Sequence, residues 1–417
     1  MIPTARVVAA SIRAMTSADI ASLSAGTAEI VPADELSEKL ALGRPLRIKL
    51  GLDPTAPAVT LGWAVVLRKL RQFQDAGHTA VLIVGDFTAQ VGDPSGKGQT
   101  RPRLTRQEVE GYRDRLLDQF WLILDRERTE VRHNSEWLGR LDMEGILKLT
   151  SSYTVARMLE RDDFSKRYAA NQPISIMEFL YPLLQGMDSV AVEADVELGG
   201  TDQKFNLLVG RDLQRAEGQE AQVAMTMPLL VGTDGVQKMS QSLGNYVGIT
   251  EPPGEIFGKL LRVPDALIPE YRRLTLDFFT DPGETERVSA GLADGTLDPW
   301  AEKRRMAREV VDLYHGAGAG SRAEVEFDLV HREHETPQDV PEARLADHMG
   351  EGGLVFLPAL MTATGLAASN GEARRLLGQG GVRLDGEPMP AEPLEIGSEA
   401  LSGKVLQVGR RRFVRLV

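Results

Sequence analysis

The chain has no cysteine among its 417 residues. That absence excludes disulfides, thiolate zinc sites, iron–sulfur clusters and a cysteine nucleophile together. Histidine is scarce: six residues, at positions 78, 133, 315, 331, 334 and 348. His331 and His334 suggest a metal pair by spacing, but their helical, acidic surroundings favour a solvated face, and no metal site is expected. Long apolar runs are missing too. The uncharged stretch 352–371 holds Pro358, Gly365, Ser369, Asn370 and several threonines, a composition that argues against a membrane helix. The N-terminus carries Arg6, Arg13 and Asp19 without an apolar core and cleavage site, so no targeting signal is expected. A formal net charge of −12 disfavours a protein held all over by nucleic acid or an anionic membrane, and leaves room for one basic face. The expectation is a soluble, multi-domain, cytoplasmic protein.

Residues 46–50 (LRIKL) read as a buried strand, followed by GLDPTAPAVTLG and the helical run WAVVLRKLRQFQDAG. A second strand, TAVLIVGDF, leads into the loop VGDPSGKGQTR. Strand, loop, helix and strand begin an open parallel α/β sheet. Such sheets bind ligands at the carboxyl ends of their strands, near helix N-termini, where both loops fall. From about Leu104 to Leu184 the pattern is mostly helical, and sheet-like patterning returns at VAVEADVELGG and VAMTMPLLVG. Helical spacing dominates 250–335, a polar linker follows, and 351–417 reads as helix, tight turn, helix and short strands. The last unit has eight basic and seven acidic side chains, leaving −13 for the rest. Arg374 and Arg375 share one of its helices, while Arg410, Arg411, Arg412 and Arg415 crowd its last strand. They read either as ordinary surface scatter or as a phosphate-contacting face.

Four segments carry candidate chemistry. Gly199-Gly200-Thr201-Asp202-Gln203 lets a ligand approach the backbone beside fixed polar groups, or is a plain strand-to-helix turn with Asp202 as N-cap. Gly92-Asp93-Pro94-Ser95-Gly96-Lys97, with Arg101 after it, can hold an ammonium group and an anion, although it lacks the spacing of a P-loop. Lys238-Met239-Ser240-Gln241-Ser242-Leu243-Gly244-Asn245 can close over a polyphosphate. Tyr181, Gln185 and Asp188 lie along one helix face among Leu180, Leu183, Leu184 and Met187, as in a recognition pocket or a water-facing stripe.

In order, DPTAP, GDPSGK, YPLLQGMD, ELGGTDQKFNLLVGR, TMPLLVG and KMSQSLGNYVG closely resemble the bacterial tyrosyl-tRNA synthetases, a class I aminoacyl-tRNA synthetase family. The resemblance runs from about residue 30 to the end, where EARRLLGQGGVRLDG and VLQVGRRRFVRL look like an S-four RNA-binding module. It implies an α/β fold: a Rossmann-type catalytic domain with a helical insertion over 1–245, an α-helical anticodon-arm domain over 246–345, and a small α+β RNA-binding domain over 351–417. Carried over by position, Asp93, Tyr181 and Gln185 would hold the α-ammonium group of L-tyrosine, and Gln203 would help place its carboxylate. Asp188 would accept a hydrogen bond from the phenol. A buried polar group left unpaired by phenylalanine rejects it without editing, an argument for which tyrosyl-tRNA synthetases are themselves the standard example. Gly200 and Asp202 would contact the adenylate ribose. Asp53, Thr55, Thr60, Gly62, Trp63, Met239 and Gln241 would line the ATP side. Lys238, Lys97, Arg101 and Thr55 form the implied catalytic set, and Arg374, Arg375, Arg410, Arg411 and Arg412 the implied RNA contacts. Partners would be tRNA(Tyr), L-tyrosine and ATP with Mg2+ as substrate, with no tightly bound cofactor, no membrane, and a second copy in a homodimer.

The chain departs from the family's pattern at three positions. The usual His-x-Gly-His reads Thr60-Leu61-Gly62-Trp63, and the second lysine of Lys-Met-Ser-Lys-Ser is Gln241. Thr60 keeps a hydroxyl, Trp63 offers one indole N–H, and Gln241 keeps a donor without charge. Losing one transition-state donor commonly costs about 3–4 kcal/mol. Two expectations stand. One is a working tyrosine–tRNA ligase that forms tyrosyl-adenylate and transfers tyrosine to tRNA, favoured because Lys97, Arg101, Lys238 and the tail remain. The other is a synthetase-like paralogue that binds tyrosine or tRNA with weakened adenylation.

Overall fold

The computed structural model describes residues 16–94, 105–329, 340–409 and 412–417. Lys97, Arg101, His331, His334, Arg410 and Arg411 lie outside these ranges. Contacts divide the chain into two compact units, Met1–Tyr314 and His315–Val417.

The first unit is built on a six-stranded sheet: β1 (Glu29–Val31), β2 (Arg47–Leu52), β3 (Thr79–Val84), β4 (Thr129–His133), β5 (Val196–Gly200) and β6 (Val223–Met227). The spatial order is β1-β6-β5-β2-β3-β4, parallel throughout except for β1, which runs antiparallel to β6. Helices cover parallel sheets on both faces, so their strands are apolar along their length. All five residues of β6 are buried, as are Ala80–Val84 of β3. Two strands depart from the sequence reading. Thr129–His133 (TEVRH) is an edge strand, paired only through β3, and its charges hid it inside a helical stretch. In VAVEADVELGG only the last five residues are strand: the helix runs to Ala191, a turn follows, and strand begins at Val196.

Four helices position the site. Helix α1 (Leu61–Asp75) is capped by Thr60, whose Oγ1 accepts the Trp63 N–H at 3.3 Å. Helix α2 (Arg106–Phe120) starts at a Thr105–Glu108 capping box, and α3 (Ile176–Ala191) at a Ser175–Glu178 one. Helix α4 (Lys204–Ala216) crosses α3 closely. A Cβ on Gly186 would meet Leu213 Cδ1 at 2.7 Å and the Gly210 backbone N at 3.3 Å, so two glycines set that approach. Between β4 and α3, the short helices Ser135–Leu138, Met143–Ser151, Val155–Met158 and Asp162–Ala169 form the expected helical insertion. Beyond residue 250 the expected helices follow: Pro253–Leu260, Ile268–Thr275, Pro282–Ala293 and Pro299–His315. Buried Arg272 joins Asp277 at 3.1 Å, while Arg305 reaches Glu284 at 2.6 Å and Glu302 at 2.7 Å.

The second unit opens with a helix at Ala319–Asp328. Its strands are β7 (Glu342–Ala343), β8 (Leu354–Phe356), β9 (Val382–Leu384), β10 (Glu387–Pro388), β11 (Glu395–Gly397), β12 (Val405–Val408) and β13 (Arg412–Leu416). Five form one sheet, in the order β10-β9-β12-β13-β7, and β8 pairs with β11. The helices Leu357–Ala363 and Asn370–Gly378 pack Leu357, Leu360 and Leu377 against Val382, Leu406 and Leu416. The uncharged stretch thus supplies β8, one short helix and a turn. Among the described residues, no helix is long and apolar enough to cross a membrane.

Candidate active site

The strand order turns back at β2: β3 lies on one side of it and β5 on the other. A crevice opens outside the carboxyl ends of parallel strands at such a reversal. The segments following β2 and β5, which carry Asp53 and Gly200–Gln203, are both delivered there.

One wall is a continuous hydrogen-bonded chain. Tyr181 OH donates to Asp53 Oδ2 at 2.9 Å, and Thr88 Oγ1 donates to Asp53 Oδ1 at 2.7 Å. Asn134 Nδ2 donates to Thr88 Oγ1 at 2.9 Å and to Asp188 Oδ2 at 3.3 Å. Trp137 Nε1 completes the chain by donating to Asp188 Oδ1 at 2.9 Å. Burial lifts the Asp188 carboxyl to about 7, against the opposing pull of the Lys49 ammonium and of the two donated hydrogen bonds. Tyr181 is raised well above the usual phenol range, first by burial and then by Asp53. Gly85, at the end of β3, makes this wall possible: a Cβ there would lie 2.0 Å from Asp53 Oδ1.

A second cluster is centred on buried Asn206. Its Nδ2 donates to Gln185 Oε1 and Gln203 Oε1, each at 3.0 Å, and its Oδ1 accepts from Arg161 Nη1 at 3.2 Å. Gln203 Nε2 donates to Asp93 Oδ2 at 2.9 Å, and Arg161 Nη2 stands 3.8 Å from Asp93. Asp93, Gln185 and Gln203, far apart in sequence, therefore meet in one polar group. Tyr181, Gln185 and Asp188 share α3, but this is no water-facing stripe: Tyr181 and Asp188 are buried.

Beneath them lies an ion pair that the sequence reading passed over. Lys49 and Glu197 are in-register neighbours on β2 and β5, both essentially unexposed, with Nζ donating to Oε1 at 2.8 Å. Lys49 Nζ also donates to Ser189 Oγ at 2.8 Å and to Gln185 O at 3.1 Å. Gln185 Nε2 and Ser189 Oγ donate to Glu197 at 3.2 and 2.9 Å, and Gln222 Nε2 adds a further bond. The signal was visible in LRIKL, where Lys49 follows Arg47 between apolar residues, and in VELGG, where Glu197 interrupts an apolar strand. Asn134, Trp137, Thr88 and Asn206 carried no comparable mark.

At the other end of the crevice, Lys238 Nζ donates to Asp202 Oδ2 at 2.6 Å. Asp202 lies inside a short 3-10 turn rather than acting as its N-cap. The Thr55 N–H returns to Asp53 O at 2.8 Å, and buried Met239 stands opposite the start of α1, where a Cβ on Gly62 would reach its Cβ at 3.6 Å.

The family described as tRNA synthetases class I (W and Y) matches residues 41–331. A tyrosine–tRNA ligase of Moorella thermoacetica is 51% identical over 94% of this chain and 94% of its own length. One from Geobacter sulfurreducens is 49% identical over 95% and 98%. The chain belongs to the class I tRNA synthetases of this W and Y family. A solved member, the tyrosyl-tRNA synthetase of Archaeoglobus fulgidus complexed with L-tyrosine, has the same fold with a TM-score of 0.61 at 22% identity, covering 73% of this chain and 98% of that one. Within this class I family, two of the three departures from the usual motif acquire local explanations. Thr60 spends its hydroxyl as the cap of α1, accepting the backbone N–H of residue 63; nothing in the structure explains the indole of Trp63. The Gln241 amide bonds to the backbone of Ala58.

Proposed function

We propose that the chain is an ATP-dependent tyrosine–tRNA ligase. The observation that carries the reading is Asp188: a buried carboxylate held in place by Trp137 and Asn134, on the same helix as Tyr181 and Gln185. A phenolic hydroxyl is the group such an acceptor would select within an apolar wall, and Asp93, Gln185 and Gln203 are grouped as an α-ammonium and carboxylate would require. The names of the relatives support the same substrate. Tyrosine's carboxylate would attack the α-phosphate of Mg-ATP and release pyrophosphate, and tRNA(Tyr) would then take the tyrosyl group. No protein nucleophile is needed, so positioning and charge stabilisation carry the catalysis. Asp53, Thr55, Thr60, Gly62, Trp63, Gly200, Asp202, Met239 and Gln241 would line the ATP side, its phosphates facing the N-terminus of α1. Lys238, with Lys97 and Arg101, would stabilise the departing pyrophosphate.

Residues 1–245, 246–345 and 351–417 would serve as catalytic, anticodon-arm and RNA-binding parts of a cytoplasmic enzyme. Arg374, Arg375 and Arg412 are exposed on the second unit, as a phosphate-contacting face requires. Exposed Met143, Leu147, Val155, Tyr168 and Ile176 give the insertion and the start of α3 an apolar surface suited to a second copy of the chain. Tyrosine-dependent ATP–pyrophosphate exchange tests the proposal. Exchange well above background is expected; tyrosine binding without exchange would instead favour the paralogue with weakened adenylation, to which Thr60, Trp63 and Gln241 point.

A further inference from the structure

The segment before α1 is gripped by two glutamine side chains. From α2, Gln119 Nε2 donates to Pro57 O at 2.8 Å, and its Oε1 accepts from Val59 N at 2.8 Å. From the lysine loop, Gln241 Nε2 donates to Ala58 O at 2.6 Å, and its Oε1 accepts from Ala58 N at 3.3 Å. The chain then pairs with the end of the same loop, Ile249 N donating to Val59 O and Leu61 N to Val247 O, each at 2.9 Å. The loop is braced from within as well. Asn245 accepts from Ser240 N at 2.8 Å and donates to Asp234 Oδ2 at 2.7 Å and Lys238 O at 3.2 Å.

The Gln241–Ala58 pairing is specific to an amide. It needs a donor and an acceptor, spaced to match the N–H and C=O of one residue. Lysine has donors only, glutamate has acceptors only, and asparagine is one methylene shorter. Where the family carries a second cation, this chain carries a side chain that hydrogen-bonds both polar groups of Ala58. We infer that Gln241 is a positioning residue. It latches the Lys238–Asn245 loop to Pro57–Thr60 before nucleotide binds, so that Lys238 is already held beside Asp202. Position does the work that attraction by a second lysine would do on a mobile loop. The inference rests on the proposed placement of ATP between α1 and this loop.

The full-length protein tests it without reference to turnover. Hydrogen–deuterium exchange would follow peptides covering 57–61 and 238–245, and equilibrium titration would give the affinities for Mg-ATP and for tyrosine. In Gln241→Ala and in Gln241→Lys, both peptides should exchange about tenfold faster without nucleotide, and Mg-ATP affinity should fall about tenfold in Gln241→Ala. Tyrosine affinity and melting temperature should stay at the unaltered chain's values. Unchanged exchange in Gln241→Ala would overturn the latch, as would faster exchange with unaltered Mg-ATP affinity. A parallel loss of tyrosine affinity would also overturn it, by marking a general structural role. Absence of pyrophosphate exchange in the unaltered chain would count against the ligase reading alone, because deuterium uptake and Mg-ATP affinity still report on the latch.

Discussion

Replacing Lys49 by methionine keeps most of the side chain's length and removes its charge. Glu197 is then left at 1% exposure with Gln185, Ser189 and Gln222 as donors and no cation. Removing one partner of a buried ion pair costs about 3–5 kcal/mol, because the remaining charge stays desolvated. At about 2 °C per kcal/mol for a unit of this size, the melting temperature should fall by roughly 6–10 °C. The double variant Lys49→Met with Glu197→Gln removes both charges and keeps an acceptor for Gln185 Nε2, so it should recover most of that loss. Thermal melts of the unaltered chain, the single variant and the double variant decide the matter. A single variant within about 1 kcal/mol of the unaltered chain would refute the claim that charge pairing holds β2 to β5 here. A double variant no better than the single would assign the loss to packing.

Trp137→Phe removes one donor from Asp188 and should raise the KM for tyrosine about tenfold while leaving that for ATP alone; equal shifts in both would deny the contact a specific role. Folding raises the Asp188 carboxyl from an ordinary 3.8 to about 7, so its favourable contribution is complete below about pH 4 and disappears as pH rises through about 7. Urea unfolding should accordingly show the chain gaining stability relative to Asp188→Asn on going from pH 8 to pH 5, by at most about 3 kcal/mol; a pH-independent difference would contradict this. Gly85→Ala puts a methyl group 2.0 Å from Asp53 Oδ1 and 2.5 Å from Thr88 Oγ1, and should cost about 1–3 kcal/mol and weaken tyrosine binding, checked by melting and titration.

The parallel sheet was legible because β3 and β6 are largely apolar runs and β2 alternates apolar with charged residues, each near glycine- or proline-containing loops, and α1 because its pattern is helical from Trp63 onward. Strand β4 escaped because an edge strand buries little and carries its charges openly. The motif residues at the ends of β2 and β5 were legible by type and order, but the contacts that fix them were not. Asn206 reads as an ordinary polar residue in a helix until α3 crosses α4 at the Gly186 and Gly210 approach. Trp137 reads as insertion core until its indole N–H is seen to meet Asp188. Gln241 was legible as a lost charge; its bond to Ala58 depends on a segment 183 residues away, which no local pattern encodes.

The in-register pairing of β2 with β5 has a consequence in time. Asp53, Thr88 and Asp93 come from the first quarter of the chain, whereas Tyr181, Gln185, Asp188, Gln203 and Asn206 come more than eighty residues later. A ribosome that has made everything up to the helical insertion has made Asp53, Thr88 and Asp93 but none of the pocket groups supplied from α3 onward. Until α3 is made Asp53 has no tyrosine to meet, and until β5 follows and finds β2, Lys49 has no counter-ion in the sheet. Long-range parallel pairing of this kind is slow to form and exposes apolar strand edges while it waits. The nascent first half of this protein is thus the form in which it is most open to aggregation; the arrival of residues 196–200 covers the β2 edge, and that of residues 223–227 covers β5 in turn.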